Sequence, residues 1–336
     1  MITETGFISV PVFLTGDVVM EVNLIKNILY AGIVGDALGV PVEFEKRDSY
    51  YVDSMISGGT WEQDTGSWSD DTSFTLPLIE SLTEKSDYEE LMQKFENYMF
   101  HNEYTPNGIA FGIGGTCVKA VRNWSINHYP ALECGDPSEY ANGNGALMRL
   151  APLAIHLKTE SDLTKRLKLT KNYTSLTHRH ARAIMGSYIY LEILHGLLNG
   201  KNLTDTLTDL PQQLKIALQN EPDEWAEFIY YKDIFAPGFK DINRKNIKST
   251  GYDVDTLLAC VWCVLNSKSI DEAILLAVNL GEDTDTIASI TGTLASCVYQ
   301  TETVNPEWVA QLQNKELLDS IIDPFIIVEN EKAVQN

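Results

Sequence analysis

The sequence predicts an all-α fold, a compact single domain built from many helices. In most long segments the apolar residues recur at three- and four-residue spacing, which is typical of helices with one buried face. Convincing alternating strands are few, with "GFISVPVFL" near the N-terminus as one weak candidate. The chain has 336 residues, of which 44% are hydrophobic, and this is enough to bury a sizeable core between packed helices.

The first two predicted helices precede the middle of the chain. In "NLIKNILYAGIVGDALGVPVEF" small and apolar residues, among them Gly32 and Gly35, share one face, and Pro41 ends the helix. The next helix is predicted over "DDTSFTLPLIESL", where Pro77 should introduce a kink because proline cannot donate the backbone hydrogen bond.

Four more helices are predicted in the second half of the chain. They are "HARAIMGSYIYLEILHGLL", stopped by Asn199-Gly200, then "DVDTLLACVWCVLNS", "SIDEAILLAVNLG" and "DTDTIASITGTLASCVY". Small residues in the last one, including Gly292, favour close packing against another helix. Residues 218–250 are polar, aromatic and rich in turn formers, so we expect a long loop or excursion there, and such loops are often functional.

The domain organisation that follows has three parts. Residues 1–22 are predicted to be an N-terminal extension, residues 23–325 one globular domain, and residues 326–336 a C-terminal tail. Asp17 and Glu21 interrupt the apolar N-terminal stretch, and no basic segment precedes it, so no signal peptide is expected; no segment approaches transmembrane length.

Charge and cysteine content narrow the function class. Lys and Arg total 25 against 47 Asp and Glu, which gives a net charge of −22. This excess argues against nucleic-acid binding and against an anionic membrane surface, and it fits metal cations or a basic protein partner. Five cysteines and no secretion signal favour a reducing cytoplasm. Cys260 and Cys263 resemble half a zinc site, but no second pair supports it, and we interpret them as core cysteines.

Two acidic clusters are the strongest chemical signal. Residues 69–72 read Ser-Asp-Asp-Thr and residues 283–286 read Asp-Thr-Asp-Thr, and each leads into an apolar helix. Helix capping is the simpler interpretation of either cluster alone. Together they hold more carboxylates than capping needs, and converging buried carboxylates require cations. Oxygen-only ligands suit Mg²⁺ or Mn²⁺, which could sit as a pair about 3.5–4 Å apart.

Two further acids lie near the first helix. Glu43 follows it directly after Pro41, and the small residues Gly35 and Gly39 would let another group approach closely. Taken alone, Glu43 is most simply an exposed loop acid and Asp36 a polar residue on a packed helix.

Seven segments together carry a resemblance to a known family. They are "GIVGDALGVPVEF", "GSWSDDTS", "FGIGGTCVKAV", "NGNGALMRLAPLAI", "LTHRHARAIMGSYIY", "GYDVDTLLACVWCVL" and "AVNLGEDTDTIASITGTLAS". Their order resembles that of the ADP-ribosylglycohydrolase family, over residues 24 to about 310. The resemblance implies a compact all-α fold with two Mg²⁺, or Mn²⁺, at an active site that removes ADP-ribose from modified proteins or small molecules.

The resemblance also implies roles for individual residues. The metal ligands by motif are Ser69, Asp70, Asp71, Asp283, Asp285 and Thr286. Asp70 and Asp71 are also catalytic candidates, together with Glu43, whose role differs between branches of the family. The metal pair would bind the ribose hydroxyls and orient a water molecule, and a carboxylate would assist proton transfer.

The substrate-binding candidates come from four motifs. They are Gly112, Gly114, Gly115, Thr116, Asn142, Asn144, His178 and Tyr252. The glycine-rich turn could cradle a diphosphate with its N–H groups or be an ordinary turn. The two asparagines could bind a sugar or simply form a turn. His178 matches the substrate-side histidine of the family, whereas His180 is a nearby decoy, and Tyr252 could stack on adenine or merely pack.

Several functions remain open at this point. Arginine-linked ADP-ribose on a protein is the first choice, because a guanidinium leaving group suits an acidic site. Serine-linked ADP-ribose, O-acetyl-ADP-ribose and modified nucleobases are alternatives. A second possible role is that of an immunity protein, which would bind a cognate ADP-ribosyltransferase toxin through its N-terminal extension. A third possibility is an inactive relative of the family, but the complete set of acids argues against it.

Overall fold

The computed structural model describes residues 16–335, and the side chains of residues 22–332. Over this range the chain forms helices, short 3₁₀ turns and isolated bridges but no strand, which confirms the predicted all-α class. The helices are α1 (Gly16–Gly39), α2 (Asp70–Glu84), α3 (Tyr88–His101), α4 (Gly115–Ser125), α5 (Ala151–His156), α6 (Leu163–Ser175), α7 (Ala181–Leu198), α8 (Leu203–Ala217), α9 (Pro222–Glu227), α10 (Asp253–Leu265), α11 (Ile270–Val278), α12 (Thr284–Val298), α13 (Pro306–Gln311) and α14 (Lys315–Gln335).

Helix α1 forms the centre of the core. The expectation that no segment approaches transmembrane length is wrong, because Val22–Val42 is long and apolar enough to cross a membrane. An 18-residue window of this segment is 94% buried inside the protein, as in a core helix. It ends at Gly39, just before Pro41, as the sequence predicts. Its first residues belong to the predicted extension 1–22; residues 1–15, with the strand candidate, lie outside the described residues.

Helices α1 and α12 cross with their backbones in contact. A Cβ atom added at Gly35 would lie 2.2 Å from the carbonyl oxygen of Ala288, and one at Gly292 would lie 2.3 Å from that of Ala31. At Gly39 the added atom would lie 2.3 Å from Cα of Asp285. The predicted close packing of small residues is therefore confirmed, and it sets the acidic start of α12 against the end of α1.

The remaining helices surround this crossing. Helix α2 runs through Pro77 without interruption to Glu84. Helix α7 ends at Leu198, and Gly200 follows with a φ of +81°, as the Asn-Gly signal predicts. Helix α14 extends into the predicted C-terminal tail, residues 326–336, and Ile326 on it is fully buried.

The excursion over residues 218–250 is ordered. It consists of α9 and four short 3₁₀ turns, and it buries Tyr231, Ile234 and Phe239. The indole N–H of Trp262 on α10 donates to the carbonyl of Ile242, which attaches the excursion to the helical core. The cysteines, including Cys260, are all free and buried, which agrees with their interpretation as core residues.

Candidate active site

A cavity of about 530 Å³ opens where the N-terminal ends of α2, α4 and α12 meet. Most of the residues that line it are glycines or carry a hydroxyl or carboxylate group. The lining residues are Glu43, Phe44, Asp70, Gly112, Gly114, Gly115, Thr116, Cys117, Gly143, Asn144, Gly145, Met148, His178, Thr250, Gly251, Glu282, Asp283, Asp285 and Thr286. Asn142 and Tyr252 are not among them, and Ser69 and Asp71 lie buried just behind.

The two acidic clusters meet at the floor of this cavity. The hydroxyl of Thr286 donates to the Asp71 carboxylate at 3.1 Å, across 215 positions of the chain. Carboxylate oxygens of Asp36, Asp71 and Asp285 lie within 4.8 Å of one another, and those of Glu43, Asp283 and Asp285 form a second such group. Asp285 belongs to both groups, so the two acidic triads share a centre.

Capping does not account for these acids. The hydroxyl of Ser69 accepts the hydrogen bond from Asp71 N and caps α2, and Asp283 at the start of α12 makes no side-chain cap bond. The Asp70 and Asp71 carboxylates are therefore not needed to satisfy the helix ends, and their burial requires another explanation.

Asp36 is a site residue that sequence reasoning missed. It is fully buried on α1, and its carboxylate accepts hydrogen bonds from Ser69 N at 2.8 Å and from both the backbone N–H and the hydroxyl of Thr72 at 3.0 and 2.6 Å. It thereby fixes the N-terminus of α2 against α1 while one oxygen remains within reach of Asp71 and Asp285. The available signal was a lone acid inside an otherwise apolar helix.

The electrostatics of the site favour a cation. Burial, together with the neighbouring carboxylates, raises the pKa of Asp36 to about 7 and that of Asp285 to about 8, and it also raises the pKa values of Asp70 and Asp71. No lysine or arginine is among the described residues that line the cavity. One buried oxygen of Asp71 has no hydrogen-bond partner. These oxygen donors fit hard divalent cations, because such ions would compensate the charge and use the free oxygen.

Glu43 belongs to the site and is not an exposed loop acid. It is only 6% exposed, and its carboxylate accepts a hydrogen bond from the indole N–H of Trp61. Burial and the charge of Asp285 raise its pKa to about 10. The turn at Pro41 directs the chain so that Glu43 approaches Asp283 and Asp285.

The glycine-rich turn ends in an open helix terminus. Helix α4 starts at Gly115, its N-cap Gly114 makes no side-chain cap bond, and a Cβ at either position would meet nothing within 4 Å. Gly112 has a φ of +78°, which glycine adopts without strain. Gly114 N donates to the Asp70 carboxylate at 3.4 Å, and the residues of the first turn, from Gly115 to Cys117, line the cavity. Backbone N–H groups at such a helix start can bind anions.

The predicted asparagines differ in position. The side-chain amide of Asn144 donates to Asp283 at 2.5 Å, so it lies at the edge of the second acidic triad. The side-chain oxygen of Asn142 instead accepts from Ala183 N at 3.1 Å, and the Tyr252 hydroxyl accepts from Arg182. Asn142 and Tyr252 brace the wall from behind, and their direct contact with substrate remains a prediction.

His178 presents a neutral imidazole to the cavity. Its Nδ1 lies 2.8 Å from the hydroxyl of Thr177, which accepts a hydrogen bond from Arg149. Burial and the positive charge of Arg149 lower the pKa of His178 to about 3. In the tautomer in which the Thr177 hydroxyl donates to Nδ1, the other ring nitrogen carries the hydrogen and can donate to a ligand. His180, by contrast, accepts from Arg182 N and caps α7.

Comparison with known proteins identifies the family. The model of the ADP-ribosylglycohydrolase family matches residues 21–334, which includes every element of this site. The chain belongs to the ADP-ribosylglycohydrolase family. The resemblance seen in the sequence motifs and the predicted enzyme class are thereby confirmed.

Individual relatives cover most of this ADP-ribosylglycohydrolase. The ADP-ribosylarginine hydrolase Tri1 of Pseudomonas putida (strain GB-1) is 33% identical over 289 residues, which are 85% of this chain and 73% of the relative. The ADP-ribosylarginine hydrolase Tri1 of Serratia proteamaculans (strain 568) is 29% identical over 311 residues, 91% of this chain and 80% of the relative. A solved structure described as an ADP-ribosylglycohydrolase-related protein complex shares the fold, with a TM-score of 0.76, 24% identity, and coverage of 92% and 99%.

The metal-free ADP-ribosylglycohydrolase should lose stability as the pH rises. Asp36 and Asp285 ionise near 3.8 when unfolded but near 7 and 8 in the folded cluster, so between these values the folded state binds more protons. The contribution of these two carboxyl groups to stability is therefore greatest below about pH 4 and is lost as the pH rises toward 8. Thermal unfolding in a chelator across this range should show the decline, and added Mg²⁺ should flatten it. Parallel pH profiles with and without Mg²⁺ would contradict a cation in the cluster.

Proposed function

We propose that this chain is a hydrolase that removes ADP-ribose from arginine side chains of modified proteins, with two Mg²⁺, or Mn²⁺, as cofactors, in the cytoplasm. The observation that carries the proposal is the meeting of two acidic triads around Asp285 at the floor of a cavity. The family supplies the reaction class, and the site supplies the charge distribution that such a reaction needs.

The cavity suits ADP-ribose in size and polarity. Its volume of about 530 Å³ lies within the range of about 300–1,000 Å³ that is usual for small-molecule sites. The open N-terminus of α4 offers backbone N–H groups to the diphosphate, and the neutral His178 offers one further donor. The acidic floor would then face the distal ribose, whose hydroxyls can bind cations and carboxylates.

Six carboxylates would hold the cations, with the hydroxyls of Ser69 and Thr286 beside them. These carboxylates belong to Asp36, Glu43, Asp70, Asp71, Asp283 and Asp285. When bound, a pair of divalent ions supplies Lewis-acid polarisation of the ribose hydroxyls and of water. The chain contributes a rigid frame, because Asp36 is fixed by three hydrogen bonds from α2 and Asp71 by two hydroxyl donors.

Glu43 is the residue that we assign to proton transfer. Its Trp61 hydrogen bond sets the orientation of the carboxyl group, and its pKa of about 10 keeps it protonated near neutral pH, so it can donate a proton to the leaving group and recover one from water. In hydrolysis a water oxygen bonds to the anomeric carbon, the bond to the leaving group breaks, and one proton of water passes to that group. Positive charge develops on the ribose meanwhile, and the surrounding carboxylates stabilise it.

An arginine linkage is the preferred substrate for two reasons. Both relatives compared above are named ADP-ribosylarginine hydrolases. A cavity with many carboxylates and no lysine or arginine in its described lining also favours a positively charged leaving group over a neutral one. Serine-linked ADP-ribose, O-acetyl-ADP-ribose and modified nucleobases are the alternatives that remain for the same site.

A substrate panel tests the proposal. Arginine-linked and serine-linked ADP-ribosyl peptides, O-acetyl-ADP-ribose and ADP-ribosylated DNA are incubated with the protein, with and without Mg²⁺, and free ADP-ribose is measured. We expect release from the arginine-linked peptide at a kcat/KM at least about tenfold above the others, and only with the cation. Faster release from any other conjugate would overturn the arginine assignment.

A contact-based immunity role is a second candidate. The net charge of −22 would attract a basic toxin, and the N-terminal extension predicted from the sequence, residues 1–22, is the segment that we assign to this contact. The Asp71→Asn variant separates the two roles, because it should retain the surface but not turnover. Protection of cells from an ADP-ribosyltransferase toxin by this variant would support the contact role, and complete loss of protection would exclude it.

A further inference from the structure

Phe44 occupies an unusual position at the edge of the cavity. It directly follows Glu43, its side chain is 62% exposed although it is a large aromatic residue, and it lines the cavity. Its φ is +68°, in the left-handed region that bulky residues rarely adopt. An exposed ring held in a strained backbone conformation next to a site residue calls for a functional explanation.

Glu282 is the counterpart of Phe44 on the opposite segment. It directly precedes Asp283, it is exposed, it lines the cavity, and its φ is +65°. The two strained residues are joined, because Phe44 N donates to the carbonyl of Glu282 at 2.6 Å and Glu282 N donates to that of Glu45 at 2.8 Å. This pair of backbone bonds holds the two residues, one aromatic and one acidic, on adjoining segments of the rim.

Trp61 extends and supports this rim. Its ring meets that of Phe44 at a centroid distance of 6.2 Å and an angle of 60°, and it meets that of Phe111 at 5.8 Å. The same indole donates its N–H to the carboxylate of Glu43. The aromatic wall is thus connected to the residue that we assign to proton transfer.

We propose that Phe44 and Glu282 form the subsite for the guanidinium of the modified arginine. The inference rests on the arginine-linked substrate proposed above. A guanidinium is a planar cation that stacks on aromatic rings and pairs with carboxylates, and the rim offers one of each. The chain neighbours of the two residues, Glu43 and Asp283, belong to the acidic triad, so the subsite adjoins the expected position of the scissile bond.

The subsite makes a selective prediction. Phe44→Leu and Glu282→Gln should each raise the KM for an arginine-linked peptide about tenfold, because each removes one attraction to the cation. The KM for a serine-linked peptide, which has no cation, should change less than about twofold by the same reasoning. Tyr51→Leu and Glu62→Gln are matched controls: Tyr51 is 78% exposed, Glu62 is exposed with a φ of +50°, and neither lines the cavity.

A direct binding measurement complements the kinetics. Calorimetric titration of agmatine, a small guanidinium compound, into the protein with ADP-ribose and Mg²⁺ should give a Kd at least about tenfold weaker for Phe44→Leu than for the wild type. Equal losses on both peptides, or unchanged agmatine binding, would overturn the subsite while leaving the proposed function intact. A wild-type protein that cleaves no arginine-linked peptide would instead overturn the proposed function, and the subsite with it.

Discussion

Replacing Asp71 by asparagine is expected to lower kcat at least about a thousandfold, a loss of the size seen when a key electrostatic group is removed from an active site. Asp71 is 1% exposed, and it receives hydrogen bonds from Ser69 and Thr286, so it ties the two halves of the centre together. Its other oxygen has no protein partner and is free for a cation. Asparagine preserves the shape of the side chain but not its charge.

Stability provides a test that is independent of turnover. In a chelator the Asp71→Asn protein should unfold at a higher temperature than the wild type, because one of several repelling carboxylates is gone. In Mg²⁺ the order should reverse, since only the wild type gains the full binding energy of the cation. Asp271→Asn is the control: Asp271 also starts a helix, its carboxylate accepts from Asn305 N, and it lies away from the cavity. Wild-type kcat in the Asp71 variant would refute the metal centre.

Gly39→Ala should lower both the stability and the turnover of the enzyme. The new methyl group would lie 2.3 Å from Cα of Asp285, a backbone atom that cannot move away alone. We expect a loss of about 1–3 kcal/mol in the free energy of unfolding, the usual cost of overpacking a core. Separating α1 from α12 also displaces Asp285 from Asp36, and a shift of about 1 Å there should lower kcat about a hundredfold.

Gly32→Ala is the matched control on the same helix. Its added methyl would lie 2.7 Å from the hydroxyl of the Thr293 side chain, which can change rotamer. Urea denaturation and kcat of the two variants should therefore differ, with Gly32→Ala much closer to the wild type in both. If Gly39→Ala matched the wild type in stability and turnover, the backbone contact at the crossing would not be a determinant of the site.

The sequence predicted the helices well because their signals are local. Apolar spacing located α1, α7, α10 and α12, and the stops at Pro41 and Asn199-Gly200 come from residues that cannot continue a helix. The acidic clusters were evident because each contains more charge than a helix end requires. Their meeting, in contrast, depends on tertiary packing between α1, α2 and α12, which no local pattern encodes.

The failure to find Asp36, the one site residue that was missed, has a physical cause as well. From the sequence, Asp36 resembles an ordinary polar residue on a helix. Its role in the site depends on hydrogen bonds from Ser69 and Thr72, which lie more than thirty positions away in the chain. Asn142 and Tyr252 lie beside true lining residues in the sequence, but their side chains point to Ala183 and Arg182. Adjacent residues in a loop can face opposite ways, and only the folded chain shows which.

The crossing of α1 and α12 also determines when the chain can finish folding during its synthesis. The Thr284 hydroxyl donates to the carbonyl of Gly39 across 245 positions, so α1 leaves the ribosome long before its partner exists. Until then a highly apolar helix has no native surface to cover it, and such intermediates are prone to aggregation. The nascent chain therefore depends on late, long-range closure, and no fragment that stops short of α12 can contain a working enzyme.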